Sequence, residues 1–299
     1  MSRICLLLFL VALLLVACSG LEPEPDLTLT PLPVDEHPLP VERGEHFATS
    51  GVCSSCHKNM IDGAGNDVSL DAFWRSTMMA NASIDPYWQA SVRGEVISNP
   101  GYDLIIQDKC TTCHTPMART TRVFQGDQGV LLDEGFLDPG NDLNTLALDG
   151  VSCTLCHQIE ADGLGEPESF DGHYLVDDTK PAGERLSYGP YEIDETQSVV
   201  MKSASGYLPQ QGEHIQSSEL CASCHTLYTP TVDNSGEVAG IFPEQMPYLE
   251  WQASVHADQN TCGDCHMPAA EGAVVLSVTG GPERSPFSIH SFAGGNTYA

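Results

Sequence analysis

Apolar residues in this chain form one dense block and then scatter. Ile4 to Ala17 is apolar without a break, after a short basic start at Met1-Ser2-Arg3. Beyond it, helical periodicity is readable in only a few places. Ser69 to Met79 carries Leu70, Phe73 and Thr77, with Asp71 near its start. Asp85-Pro86 has the order of a cap followed by a first-turn proline and predicts a second helix. Pro247 onward places Tyr248, Trp251 and Val255 on one stripe and delivers His256 to its far end. Trp88-Gln89-Ala90-Ser91-Val92 recurs letter for letter as Trp251-Gln252-Ala253-Ser254-Val255, which predicts a reused helix; Arg93, following the first copy, has a carboxylate of a prosthetic group as its natural partner. The stretches between are rich in Gly, Asp and Pro, so the pattern predicts a mainly α chain with much irregular structure.

The leading apolar block is too short to span a bilayer as a mature helix and suits a secretory signal. It closes in Leu15-Val16-Ala17-Cys18-Ser19, which resembles a bacterial lipoprotein signal, with Cys18 as the lipidated new N-terminus. The segment after it carries Pro23, Pro25, Pro31, Pro33, Pro38 and Pro40 among acidic residues and reads as an extended, solvated tether, with His37 a solvated side chain. The predicted organisation is a signal peptide over 1–17, a Pro- and acid-rich tether over 18–45 and one domain over 46–299. That places an exported bacterial lipoprotein on the periplasmic side of a membrane or at the outer cell surface.

Composition narrows the partners. With 12 basic against 41 acidic residues the formal net charge is −29, which excludes nucleic acid and favours a basic redox protein or a mineral surface over an acidic partner. The same acidity also serves simply to keep an exported protein soluble. Only 41% of the chain is apolar and 7% aromatic, modest for a large conventional core.

The cysteines explain that economy. Five copies of one phrase occur: Cys53-x-x-Cys56-His57, Cys110-x-x-Cys113-His114, Cys153-x-x-Cys156-His157, Cys221-x-x-Cys224-His225 and Cys262-x-x-Cys265-His266. Two thiols at this spacing can each form a thioether with a vinyl group of one haem, and the next imidazole then becomes the proximal iron ligand. Zinc and iron–sulfur readings fail on arithmetic, because five pairs do not divide into four-thiolate sites. Histidine after all five pairs would arise by chance at about one in ten million. The expected cofactors are five haem c groups, whose flat apolar faces would form much of the core. A globular chain of about 280 residues has a radius of gyration on the order of 19 Å, so five macrocycles within it would be close neighbours.

Each iron also needs or lacks a second axial ligand. Outside the attachment phrases the candidates are His256, His290, His214, His46 and His173, with Met78 added because Phe73-x-x-Ser76-x-Met78 aligns with Trp251-x-x-Ser254-x-His256. Met117 and Met267 follow proximal histidines on the unsuitable side, and packing is their expected role.

These phrases, together with Asp149-Gly150-Val151-Ser152, Met267-Pro268 and the closing His290-Ser291-Phe292-Ala293-Gly294-Gly295-Asn296, resemble multihaem cytochromes of the c-554 type over roughly 46 to 299. The resemblance implies a multihaem cytochrome c fold with stacked haems held mainly by two histidines each. It also implies His256 and His290 as distal ligands, Met78 by matching position, and electron transfer with redox donor and acceptor proteins such as other cytochromes. None of the five phrases carries the lysine that nitrite-reducing relatives use in place of a proximal histidine. The family's closing phrase usually continues, whereas here the chain stops at Ala299. The alternative expectation is an oxidoreductase with one open haem acting on a small nitrogen or sulfur compound.

Overall fold

The computed structural model describes residues 38–233 and 235–294. The signal segment, Cys18, His37 and Gly295-Asn296 lie outside the described residues. Among the described residues the helices are short: Ser50–Ser54 (α1), Leu70–Arg75 (α2), Pro86–Ser98 (α3), Asp103–His114 (α4), Pro116–Phe124 (α5), Asn144–Leu148 (α6), Cys153–Cys156 (α7), Glu195–Ser205 (α8), Ser218–His225 (α9), Pro247–Gln252 (α10) and Cys262–His266 (α11). No described helix is long and apolar enough to cross a membrane.

Strands are few and pair locally. Leu186–Gly189 (β1) runs parallel to Leu208–Gln211 (β2) across α8, Leu227–Val232 (β3) forms a hairpin with Val238–Gln245 (β4), and Val274–Val275 (β5) meets Glu283–Arg284 (β6) antiparallel.

Local chemistry sets several boundaries. The predicted cap before α3 is present: the Asp85 carboxylate accepts from the Tyr87 amide at 2.9 Å, with Pro86 in the first turn. The helix expected from Ser69 to Met79 is shorter and stops at Arg75. The repeated pentapeptide does not keep one conformation. Its first copy lies wholly inside α3, where the Ser91 hydroxyl donates to the Tyr87 carbonyl one turn back at 2.9 Å and leaves the helix intact. In the second copy Ser254 turns its hydroxyl to the Trp251 carbonyl at 2.7 Å and accepts from the His256 amide at 3.1 Å, so the side chain displaces the helical ladder and α10 ends at Gln252.

The packed body begins at Leu39, ahead of the expected boundary at His46. Pro40 carbonyl oxygen accepts from the Gly51 amide at 2.9 Å and from the Thr49 hydroxyl at 2.6 Å, and the Thr49 amide donates to Glu42. A β-carbon at Gly51 would fall 2.4 Å from that Pro40 oxygen, so α1 and this strand-like approach are fitted to each other. The proline-rich stretch thus ends docked on the helix that carries Cys53.

Buried apolar side chains fall into separate clusters. One joins α3, α5 and α6 through Trp88, Val92, Ala118 and Ala147; another gathers Met60, Val68, Val274 and Phe287; a third holds Phe47, Met117, Leu146 and Leu155. Met117 is fully buried and accepts from the Thr154 hydroxyl, in keeping with a packing role. The cysteine-bearing helices contribute to the clusters: Leu155 of α7 belongs to the third, and Cys110 of α4 packs against the first.

Candidate haem sites

All five Cys-x-x-Cys-His phrases sit at or next to short helices: α1, the end of α4, α7, α9 and α11. A free cysteine is ordinarily among the most buried of side chains. Here none of the ten is fully buried, and none is in a disulfide. Nine are half-buried and Cys265 is exposed, so the thiols are not sealed into the apolar clusters.

The imidazoles are oriented with equal consistency. His57 Nδ1 donates to the Leu276 carbonyl at 2.7 Å, His114 Nδ1 to Ala82 at 3.0 Å, His157 Nδ1 to Tyr188 at 2.5 Å and His266 Nδ1 to Ala293 at 2.6 Å. A carbonyl can only accept, so each of these rings carries its proton on Nδ1 and keeps the Nε2 lone pair free. Distant backbone supplies every one of these partners. Tyr188 in β1 and Ala293 each also donate their own amide back to the carbonyl of the histidine they hold, at 2.6 and 2.9 Å. Burial pushes the His57, His114, His157 and His225 rings below the ordinary imidazole range and keeps them neutral. The indole of Trp88 lies flat on His114 at 4.3 Å and 4° and fixes that ring further.

The expected distal residues occupy different settings. His290 is held by the Ser288 carbonyl at 2.9 Å between Phe287 and Phe292, and burial with the neighbouring His157 lowers it to about 4. Its ring lies 6.4 Å from that of His157, with planes 12° apart. Two imidazoles bonded to one metal at about 2.0 Å each would have centroids about 6.3 Å apart. The residues therefore fit one six-coordinate iron.

His46 is buried against Phe124 at 4.8 Å, and its Nδ1 has no partner among the described residues, an orphan that a metal bond would satisfy. His256 is exposed at the turn after α10, and Met78 is 47% exposed at the turn after α2. His173 is exposed. His214 is placed differently. Its Nε2 donates to the Ile159 carbonyl at 2.9 Å, and a β-carbon at Gly212 would lie 2.9 Å from its Nδ1. In this placement its usual ligating nitrogen is committed to the backbone. Arg93 is exposed on α3.

The phrases also neighbour one another. Cys53 and Cys153 act on each other's titration through a thiol–thiol interaction, as do Cys113 with Cys224 and Cys221 with Cys262. Cys156 lies within electrostatic reach of Cys221 and Cys224, and His225 of His266. Gly172 is the wedge between the second and fourth phrases: its amide donates to Ser223 at 2.6 Å, and a β-carbon on it would fall 2.2 Å from Thr112 Cγ2.

Helices bearing repeated Cys-x-x-Cys-His phrases, joined by irregular chain and small sheets, define the class: the fold is that of a multihaem c-type cytochrome. Residues 52–158 match the family model described as cytochrome c554 and c-prime. Among solved structures the chain is similar to a penta-heme cytochrome c552 from Thermochromatium tepidum, with 18% identity and a TM-score of 0.50 over 84% of this chain. The chain spans 58% of that structure's length. No curated protein matches it.

Proposed function

We propose that this chain binds five c-type haems and relays electrons between redox proteins outside the cytoplasm, held to a membrane by lipid on Cys18. The observation that carries the relay is the unbroken neighbourhood of the attachment phrases: first with third, third with fourth, second with fourth, and fourth with fifth. Haem iron supplies one-electron chemistry at each site. The chain's own residues would do the rest. Cys53, Cys56, Cys110, Cys113, Cys153, Cys156, Cys221, Cys224, Cys262 and Cys265 would tether the groups, and His57, His114, His157, His225 and His266 would ligate them. The carbonyls of Leu276, Ala82, Tyr188 and Ala293 hold four of those rings in the ligating tautomer. Among the distal candidates His290, His46 and His256 lead.

The test is a haem count by pyridine haemochrome alongside a redox titration of the mature protein. Five haems per chain and a titration spread over five one-electron steps are expected; fewer than five would refute the count. Mass spectrometry of the membrane fraction checks Cys18, and an unmodified thiol there removes the anchor.

A second reading rests on His214. With its Nε2 given to Ile159, the described distal candidates thin out, and one iron left open would admit a small nitrogen or sulfur compound. Rapid binding of cyanide or nitric oxide by one haem in five selects that reading; inert, fully low-spin protein selects the relay.

A further inference from the structure

The β3–β4 hairpin starts two residues after His225 and is tied down near both ends of α4, the helix that closes in the second phrase. At its base the Asp171 carboxylate accepts from the Tyr228 amide at 2.6 Å, and the Asp171 amide donates to the Thr226 carbonyl at 2.9 Å. The same carboxylate lies 3.5 Å from Lys109 Nζ, next to Cys110. At the tip, the hydroxyl of Tyr102, which precedes α4, donates to the Gly236 carbonyl. Asp233 closes the turn, accepting from the Ser235 and Glu237 amides at 2.7 and 3.1 Å. The hairpin is thus a strap along α4, fixed at two points.

The strap buries nothing of its own. No residue of β3 or β4 is fully buried, and Phe242 is 54% exposed. A two-stranded hairpin is marginal in water unless something covers a face. Contacts identify which face. Thr229 stands opposite Phe242 in the register, so the two side chains share one side of the hairpin. The Thr229 hydroxyl donates to the Glu244 carboxylate, which puts Glu244 on that side as well. The Glu244 charge reaches both Cys110 and His114, so this side looks onto the second phrase. A flat apolar group tethered there would supply the cover that Phe242 lacks.

We infer that the β3–β4 hairpin is the cover of the haem carried by Cys110, Cys113 and His114, with Phe242 packed on the group and Glu244 setting a negative charge beside it. The inference rests on the haem content proposed above. The two side chains act on the potential of that site with opposite sign. Oxidation adds one positive charge at the iron, so the Glu244 carboxylate stabilises the oxidised state and lowers the potential. Exclusion of water by Phe242 destabilises the same charge and raises the potential. A hairpin that served only to hold the chain together would not pair these signs.

Redox titration of the full mature holoprotein is the test. Glu244→Gln, which keeps an acceptor for Thr229, is expected to raise one of the five steps and leave four in place. Phe242→Ala is expected to lower that same step. Trp88→Phe alters the ring stacked on His114 and is expected to shift the step again, which identifies it with the second phrase. Five unmoved steps in Glu244→Gln or Phe242→Ala, shifts of one sign in both, or a shift confined to a step that Trp88→Phe leaves alone overturns the inference. So does the break-up of a dimer by Phe242→Ala with all five steps unchanged, which would assign the face to a second copy. A haem count short of five in wild type overturns the underlying reading instead. Should Phe242→Ala fail to fold, Glu244→Gln, equal in size to the native residue, still decides the matter.

Discussion

The rings of His157 and His290 stand 6.4 Å apart with planes within 12° of parallel, although 133 positions of chain separate them (290 − 157). Each has its Nδ1 proton taken by a carbonyl, from Tyr188 and Ser288 respectively. Both neutral rings thus keep Nε2 unprotonated, and an iron held between them would meet two ligands whose orientation is already set by the backbone, which would lower the cost of ordering the site.

Replacing one partner should expose that preparation. In His290→Ala one haem in five is expected to become high-spin, with added imidazole restoring the low-spin state. Electron paramagnetic resonance of the oxidised protein reads both changes. An unchanged low-spin spectrum would assign the position opposite His157 to another residue.

Gly172→Ala tests the spacing between the second and fourth phrases. The glycine has φ +78°, and a methyl there would meet Thr112 Cγ2 at 2.2 Å with a buried helix behind it. Strain in the left-handed region and overpacking together cost about 2–4 kcal/mol. The variant is expected to lose thermal stability by several degrees and to yield less holoprotein. Gly172→Ala with wild-type stability would show that the two phrases are not held against each other there.

How far the site is legible in the sequence depends on what kind of atom does the work. The side chains proposed to tether and ligate haem announce themselves, because that chemistry demands Cys and His at fixed spacing. The cap at Asp85 is equally visible as residue types in order. The orienting groups are not. Leu276, Ala82, Tyr188 and Ala293 act through carbonyls, and every residue has a carbonyl, so no side-chain pattern marks them. The expected helix sharing between Trp88 and Trp251 fails for a related reason. Identical pentapeptides give Ser91 and Ser254 the same hydroxyl, and the choice between a bond one turn back and a bond that ends the helix lies with the flanking chain, outside the repeated letters. The early start at Leu39 is hidden because prolines favour an extended chain whether it is solvated or, as here, docked on α1.

Asp149 joins the first and third phrases through buried hydrogen bonds. Its carboxylate accepts from the Ser50 amide at 2.7 Å and the Ser50 hydroxyl at 2.6 Å, just ahead of Cys53. Asp149→Ala would leave two buried donors unpaired, at about 1–3 kcal/mol each. The denaturation midpoint, monitored by the loss of the Soret environment, is expected to drop accordingly. Asp149→Asn, which keeps one acceptor, should lose less; equal losses would mean that volume rather than hydrogen bonding governs the site.

Acid sensitivity has a definable source in Asp108, near the second phrase. Burial pushes its carboxyl up, but the Arg119 guanidinium, bonded through Nε at 3.1 Å and Nη2 at 2.9 Å, and the Gly129 amide at 2.7 Å more than offset this and hold it below the usual carboxylate range. A carboxyl whose folded value lies below its unfolded value adds stability that is complete above the unfolded value, about 3.9, and is lost as pH falls through the folded value. Asp108→Asn forfeits the charge at every pH. Near neutrality the variant is expected to be less stable than wild type by roughly 1–3 kcal/mol. As pH falls below about 4 the wild-type carboxyl takes up its proton and the two stabilities should converge. Thermal midpoints for both proteins between neutrality and about pH 2 measure the gap directly. A gap that stays constant to the lowest pH would place the effect in the amide substitution itself, and not in the charge that Arg119 holds.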